Sequence, residues 1–193
     1  MMKYMLPPDH GARMNRALLA LEGLSLGDAF GECFFDSSVA LAALGNTRAL
    51  PAPPWNYTDD TEMALAIVEV LADHGSIKQE QLAQVFARRY RREPRRGYGG
   101  TAHQILRAIG DGVPFATAAG QAFSGMGSMG NGAAMRVAPL GAYFAADLTQ
   151  VVTQARAMFD GMHPRMGVFF RLMEQGGFLD LKNRPTKAGG GFC

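Results

Sequence analysis

Apolar residues recur along most of the chain at helical spacing, and glycines and prolines separate the segments that show it. The clearest segment is Thr61–Asp73, where Met63, Ile67, Val70 and Leu71 follow the i, i+4, i+7, i+8 pattern of an amphipathic helix. No segment shows a convincing alternation of apolar and polar residues, which would be typical of a β-strand. The pattern therefore predicts an all-α fold.

Further helices are predicted from the same periodicity and from helix start signals. In the first of them, Leu18 and Leu21 are expected to face the core, and the helix is expected to break at Gly27–Gly31. Ser76 with Gln79 is typical of a capping box. The predicted segments are Met14–Leu26, Ser76 to Arg92, Thr101–Ile109, Pro114–Phe123, Ala133–Phe144 and Asp147 to about Phe159.

The length of 193 residues predicts a single domain. We expect one helical domain over residues 1–175, followed by an irregular tail over 176–193, where the periodicity fades and a glycine run occurs. Two loops rich in proline or glycine interrupt the helical pattern, Ala49–Tyr57 and Gly125–Gly132.

Composition excludes several classes of protein. The 19 Lys and Arg against 17 Asp and Glu give a formal net charge of +2, which does not by itself indicate nucleic-acid binding. No apolar run approaches the roughly 18 residues of a membrane span, and the first residues do not resemble a signal peptide. Cys33 and Cys193 cannot form a disulfide framework or a four-cysteine zinc site. A cytoplasmic protein without membrane contact is the expectation.

Two hydroxyls and two carboxylates follow one another in Thr58-Asp59-Asp60-Thr61, directly before the clearest helix. Neighbouring carboxylates repel each other, so a nearby cation would stabilise them. Their oxygens are hard ligands that suit Mg²⁺ or Mn²⁺. The alternative is an ordinary capping box, with Asp59 as the N-cap and Glu62 three residues later.

Glycine makes up half of Gly125–Gly132, which also contains Asn131. Backbone N–H groups in such a loop can point at phosphate oxygens, and the following helix adds its positive end. Asn131-Gly132 is also a common turn dipeptide, so a purely structural loop is the alternative. At Gly27–Gly31, the carboxylate of Asp28 interrupts an apolar helix, which is compatible with a helix end or with a site.

Six arginines surround Tyr90 and would suit phosphate contacts in a nucleic-acid-binding module. The alternative is a solvated helix end whose positive charges complement the helix dipole, and no nucleic-acid-binding motif accompanies the cluster. We therefore do not expect nucleic acid as a partner. The arginines are Arg88, Arg89, Arg91, Arg92, Arg95 and Arg96.

Four segments, in this order, resemble the ADP-ribosylglycohydrolase family, which includes the dinitrogenase reductase-activating glycohydrolase. They are GLSLGDAFGECFF at Gly23–Phe35, YTDDTEMALAIVEVL at Tyr57–Leu71, RGYGGTAHQIL at Arg96–Leu106 and GSMGNGAAMRVAPLGAYF at Gly127–Phe144. The second and fourth segments are the most specific. The similarity covers roughly residues 14–160.

The resemblance implies an all-α hydrolase that uses two Mg²⁺ ions, in some members Mn²⁺, to cleave the bond between ADP-ribose and a modified residue or small group. It implies that Thr58, Asp59 and Asp60 bind metal and that Asp59 and Asp60 take part in catalysis. It also implies that the ligand-binding loop, which contacts the pyrophosphate and the adjoining ribose of ADP-ribose, comprises Gly127, Ser128, Met129, Gly130 and Asn131.

The chain departs from the family pattern in its acidic residues. No Asp-x-Asp-Thr motif, which completes the metal sites in the family, occurs after residue 144. Phe35 stands where family members often carry a glutamate, and Glu32 lies three residues earlier. These departures favour a member that lacks the C-terminal part of the family. They leave open a metal-dependent hydrolase and a catalytically inactive ADP-ribose-binding remnant.

Overall fold

The computed structural model describes residues 5–35, 45, 48, 50–120 and 131–159. Every regular element over these residues is helical, which confirms the predicted all-α fold. The helices are α1 (His10–Glu32), α2 (Asp59–His74), α3 (Gln79–Arg92), α4 (Gly100–Gly110), α5 (Phe115–Gly120), α6 (Ala138–Tyr143) and α7 (Leu148–Phe159), with a 3-10 turn at Asn131–Ala133. The predicted tail, the domain boundary at residue 175 and residues 127–130 lie outside this description.

Helix α2 lies at the centre of the core and packs against α1, α3 and α6. Its predicted apolar positions are buried as the spacing requires, and Ile67 and Leu71 are 0% exposed. The helix ends at Gly75, which adopts the left-handed conformation with φ of 64°. Glycine is favoured there because it has no side chain to clash with the backbone.

Helix α1 is longer than the sequence predicts, and the expected break at Gly27–Gly31 is wrong. The helix continues to Glu32, because Ala29 is buried and Asp28 finds hydrogen-bond partners on the neighbouring segment. A carboxylate can remain within a partly buried helix when hydrogen bonds compensate for its burial. Leu21 is buried as predicted, whereas Leu18 is 43% exposed.

Two other local predictions need correction. Ser76 does not cap α3, whose N-cap is Lys78 without a side-chain hydrogen bond. Ser76 instead lies in the turn after Gly75, and its hydroxyl donates to the His74 carbonyl at 3.5 Å. Helix α6 begins at Ala138 rather than near residue 133, because Pro139 lacks an N–H group and favours the first turn of a helix.

The remaining helices agree with the sequence pattern to within a few residues. The start of α7 is confirmed by a hydrogen bond of 3.1 Å from the Gln150 backbone N–H to the Asp147 carboxylate. None of the helices in the described part of the chain combines the length and apolar character that crossing a bilayer requires. The fold places the last turns of α1 beside the first turn of α2, so that the acidic residues of these two segments lie close together.

Candidate functional site

A cleft of about 600 Å³ opens where α1, the start of α2 and two loops come together. It brings three separate sequence segments, which were singled out for their chemistry, to one place. Its polar and glycine lining comes from Asp28 and Glu32 on α1, from Thr58, Asp59 and Asp60, from Gly97 and Gly99 before α4, and from Asn131. Phe35 and Met135 add apolar surface.

The first turn of α2 presents its two aspartates to this cleft. Thr58 is the N-cap in extended conformation, and its hydroxyl oxygen accepts a hydrogen bond from the Asp60 backbone N–H at 3.4 Å. The alternative of an Asp59–Glu62 capping box is therefore wrong. Glu62 instead accepts hydrogen bonds from the Tyr57 hydroxyl at 2.9 Å and from Arg89 at 2.8 Å. Asp59 and Asp60 both line the cleft.

Asp28 joins α1 to the beginning of α2 through both of its carboxylate oxygens. Its Oδ1 accepts from the Thr58 hydroxyl at 2.6 Å, and its Oδ2 accepts from the Thr58 backbone N–H at 2.8 Å. The Thr61 hydroxyl and backbone N–H also donate to Oδ2, at 2.6 and 3.2 Å. The carboxylate thus satisfies two backbone donors that the start of a helix otherwise leaves without a partner.

Negative charge accumulates in the cleft. Burial, together with the charges of Asp60 and Asp28, raises the pKa of Asp59 to about 6, although a backbone hydrogen bond and the Arg136 guanidinium oppose this shift. Burial also raises the pKa of Asp60, and Asp28 and Glu32 add to the effect. A cation bound among these groups would relieve the repulsion and favour their ionised forms.

The donors in the cleft suit a hard divalent cation in type. Thr58, Asp59 and Asp60 supply a hydroxyl and two carboxylates, which are the oxygen ligands that Mg²⁺ and Mn²⁺ prefer. Across residues 5–35, 50–120 and 131–159, no group of three or more His, Cys, Asp or Glu side chains is arranged to hold a metal ion. The described donors therefore fit Mg²⁺ in chemistry but are few for two ions.

A buried ion pair lies behind the first turn of α2. Glu62 is 5% exposed, and its carboxylate accepts a hydrogen bond of 2.8 Å from Nε of Arg89 on α3. Arg89 also approaches Glu69 at 3.6 Å. Sequence reasoning missed this pair, although an acidic residue amid the buried positions of an amphipathic helix is a signal that it needs a partner.

Arg136 is a second buried charge that the sequence pattern did not single out. It is 1% exposed, its guanidinium stacks 4.7 Å from the Phe86 ring centre, and one of its nitrogens lies 3.2 Å from the Met63 sulfur. Burial lowers its pKa to about 10, and the charge of Asp59 opposes the shift. Arg136 therefore remains charged at neutral pH and partly offsets the negative charge of the cleft.

The loop before α4 forms a wall of the cleft beside Asp59. Gly97 has φ of 82°, and a Cβ atom there would lie 3.7 Å from Asp59 Oδ1. Arg96 fixes this loop, because it donates to the Tyr57 carbonyl at 3.2 Å and its guanidinium lies 4.0 Å from the Tyr57 ring centre. The sequence showed these glycines only as part of a family resemblance, with no role attached to them.

Of the predicted ligand-binding loop, Asn131 is described, and it is exposed and lines the cleft. Gly127, Ser128, Met129 and Gly130 lie outside the described residues. The structure thus brings Asn131 to the same cleft as Thr58, Asp59 and Asp60. Their roles in binding or catalysis stay predictions.

Four of the six clustered arginines form ion pairs within the chain. Arg88 pairs with Glu69, and Arg89 pairs with Glu62. The same holds for Arg91 with Asp111 and for Arg96 with Glu93. Most of these arginines are therefore paired with carboxylates of the same chain, which favours the interpretation of a charged helix end over a nucleic-acid surface.

Comparison with known proteins matches residues 9–167 to the family model described as ADP-ribosylglycohydrolase. The chain is 33% identical over 133 residues to ADP-ribosylhydrolase ARH3 of Homo sapiens, covering 61% of this chain and 36% of that protein. It is 44% identical over 84 residues to the Xenopus tropicalis ADP-ribosylhydrolase ARH3, covering 42% and 24%. It is 34% identical over 146 residues to the uncharacterized protein YegU of Escherichia coli, covering 67% and 42%. The matches thus span about a quarter to two fifths of these relatives' length.

Proposed function

Because this chain belongs to the ADP-ribosylglycohydrolase family, we propose that its cleft is part of a metal-dependent site that cleaves the glycosidic bond between ADP-ribose and a modified residue or small group. The observation that carries the proposal is that Asp59, Asp60 and Asn131 line one cleft, although Asp60 and Asn131 are 71 positions apart in the chain. The names of the relatives, ADP-ribosylhydrolases, support the same substrate class.

In this proposal, the two aspartates work at the ribose end of the substrate. Glycosidic cleavage passes through an oxocarbenium-like transition state, which needs oriented ribose hydroxyls and an activated water. The chemistry supplied by bound Mg²⁺ or Mn²⁺ would be to polarise that water and those hydroxyls. Asp59 and Asp60 would hold the cation with Thr58 and accept the proton of the water.

The pyrophosphate and the adjoining ribose of the ligand would lie against the loop that ends at Asn131. Its glycines would let backbone N–H groups approach the pyrophosphate oxygens closely. Replacing Gly130 by valine adds a β-branched side chain in this proposed path, so we expect ADP-ribose binding to be lost while helical content is kept. Calorimetric titration with ADP-ribose, beside a circular dichroism spectrum, measures both. Undiminished binding by this variant would identify the loop as a structural turn.

A second candidate function is an inactive ADP-ribose-binding remnant, and the number of donors favours it. Among the described residues, the predicted ligands Thr58, Asp59 and Asp60 offer three side chains, and Glu32 also lines the cleft, whereas two Mg²⁺ ions need about six ligands each, some of them waters. We propose that this polypeptide alone holds one ion at most, weakly. Its hydrolysis of ADP-ribosyl conjugates would then be absent or orders of magnitude slower than that of a relative with more ligands.

A hydrolysis assay distinguishes the two candidates. The purified chain and the human ADP-ribosylhydrolase ARH3 are incubated in parallel with an ADP-ribosylated peptide and Mg²⁺, and released ADP-ribose is quantified by chromatography. The expected result is negligible release by this chain. Robust Mg²⁺-dependent release that Asp59→Ala abolishes, and that Glu80→Gln on the exposed first turn of α3 leaves intact, would instead establish an active hydrolase.

A further inference from the structure

We infer that Asp28 is a positioning residue: it fixes the hydroxyl proton of Thr58 so that Thr58 Oγ1 faces the cleft only as an acceptor. The inference rests on the proposed function in so far as a cation binds at Thr58, Asp59 and Asp60. Asp28 lines the same cleft, yet both of its oxygens are occupied by the start of α2. Oδ2 accepts three of these hydrogen bonds and Oδ1 accepts one, from Thr58 Oγ1, so the contact through which Asp28 would act on the cleft is the one with Thr58.

The direction of each hydrogen bond around Asp28 follows from the chemistry of its partners. A carboxylate can only accept, and a backbone N–H can only donate. The short distance of 2.6 Å from Thr58 Oγ1 to Asp28 Oδ1 is typical of a hydroxyl that donates its proton to a charged oxygen. The single proton of the Thr58 hydroxyl is thus committed to Asp28.

Because its proton is donated to Asp28, Thr58 Oγ1 can make further contacts only through its lone pairs. A hydroxyl oxygen has two acceptor sites. One of them receives the Asp60 backbone N–H at the long distance of 3.4 Å, and the other is left for the cleft, which Thr58 lines. A hydroxyl whose proton pointed into the cleft would repel a cation, whereas this arrangement presents oxygen to it.

Replacing Asp28 by asparagine would reverse the direction of the hydrogen bond between residue 28 and the Thr58 hydroxyl. Oδ2 receives the backbone N–H groups of Thr58 and Thr61, which cannot turn round, so the amide oxygen must take that position. The amide nitrogen then replaces Oδ1 and donates to Thr58 Oγ1. The Thr58 hydroxyl becomes an acceptor on the Asp28 side, and its own proton has to turn away from residue 28.

Thr61 provides a matched control within the same cluster. Its hydroxyl also donates to Asp28 at 2.6 Å, but Thr61 is 4% exposed and is not among the residues that line the cleft. Thr61→Val removes a hydrogen bond of the same kind and length and leaves the Thr58 hydroxyl in place. A loss of metal affinity caused merely by loosening Asp28 would appear in this variant, whereas a loss that acts through Thr58 would not.

The test is Mn²⁺ binding, followed by electron paramagnetic resonance of the unbound ion, with cooperative thermal unfolding as the check that each variant is folded. We expect Asp28→Asn to weaken Mn²⁺ affinity by about tenfold or more, the effect typical of partners that orient a metal ligand. Thr58→Val should weaken it similarly, and adding Asp28→Asn to Thr58→Val should cause less than a further ~2-fold change. Thr61→Val should bind nearly as the wild type does.

Two results would overturn the inference: wild-type affinity in Asp28→Asn, or an Asp28→Asn effect that is equally large in the Thr58→Val background. Failure of the proposed function gives a different result. In that case the wild type would show no Mn²⁺ binding that depends on Asp59, so Asp59→Asn would change nothing. If the wild type binds no Mn²⁺ in this way, or if Asp28→Asn does not fold, the inference is tested by nuclear magnetic resonance of the Thr58 hydroxyl proton in the wild type. A slowly exchanging hydroxyl resonance with a nuclear Overhauser contact to the Asp28 side chain supports it, and a freely exchanging hydroxyl overturns it.

Discussion

Glu62 accepts a hydrogen bond of 2.8 Å from Arg89, and this ion pair is buried directly behind the turn that carries Asp59 and Asp60. The side chain of Glu62 is 6% exposed and that of Arg89 is 18% exposed. Removing Arg89 breaks the ion pair and leaves the buried Glu62 carboxylate with the hydrogen bond from the Tyr57 hydroxyl. The pair joins α2 to α3 on the side of α2 that faces away from the cleft.

Arg89→Ala is therefore expected to lower the free energy of unfolding by about 3 kcal/mol, the lower end of the cost of breaking a buried ion pair. Arg88→Ala is the matched control on the same helix, since Arg88 pairs with Glu69 but its side chain is 54% exposed. It should cost less than about 1 kcal/mol. Urea unfolding followed by circular dichroism measures both values, and equal losses would contradict the importance of the buried pair.

Asp59→Asn is expected to stabilise the metal-free chain at neutral pH. The pKa of Asp59 is raised to about 6 in the folded state, above its ordinary value of 3.8, so folding favours the protonated form. The stability that this group contributes is complete below pH 4 and is lost as the pH rises to about 6. After discounting for solvent screening, the gain on removing the charge is about 1 kcal/mol.

Thermal unfolding at pH 7.5 and pH 4 in the presence of a chelator tests this prediction. The melting temperature of Asp59→Asn should exceed that of the wild type by about 2–4 °C at the higher pH, and the difference should shrink at the lower pH. A variant less stable than the wild type at pH 7.5 would mean that the Asp59 carboxylate is compensated in the folded chain.

Gly97→Ala should destabilise the chain by about 1 kcal/mol or more, because its φ of 82° is disfavoured for residues with a Cβ atom. The added methyl group would also narrow the cleft, 3.7 Å from Asp59 Oδ1. Gly100→Ala is the control, since Gly100 is helical and a Cβ atom there would meet nothing within 4 Å. Its effect should stay within about 0.5 kcal/mol. Chemical denaturation compares the two, and equal stability would contradict the strained position of Gly97.

The arginine cluster is expected to give no specific nucleic-acid binding at physiological salt, because four of its six members are paired within the chain. Fluorescence anisotropy with single- and double-stranded DNA over a salt series measures this directly. Tight binding that the double variant Arg92→Glu, Arg95→Glu removes would contradict it, since these two residues are exposed.

The sequence predicted the helices well where one periodic face is buried. In α2, the helical spacing of Met63, Ile67, Val70 and Leu71 coincides with the face that is buried. It failed at Gly27–Gly31, where local composition predicted a break that tertiary hydrogen bonds from Thr58 and Thr61 to Asp28 prevent. Such bonds join residues about 30 positions apart and leave no periodic signal.

For the candidate site, residue chemistry and family resemblance predicted roles for Thr58, Asp59, Asp60 and Asn131 from the sequence alone, and the structure places these four residues in one cleft. The sequence did not predict the residues that surround these four. Glu62 and Arg136 are buried charges, and nothing in a local pattern tells which partner satisfies them. The position of Gly97 beside Asp59 likewise depends on how the loop before α4 packs on the start of α2.

The most direct test of the proposed site is the linkage between ADP-ribose and divalent cation, measured by calorimetric titration of ADP-ribose with Mg²⁺ and with a chelator. We predict that the wild type binds ADP-ribose and that Mg²⁺ tightens this binding. We also predict that Asp59→Asn removes the Mg²⁺ effect and that Glu80→Gln preserves it. Absence of ADP-ribose binding under both conditions, or an affinity that Mg²⁺ leaves unchanged, would contradict the assignment of this cleft.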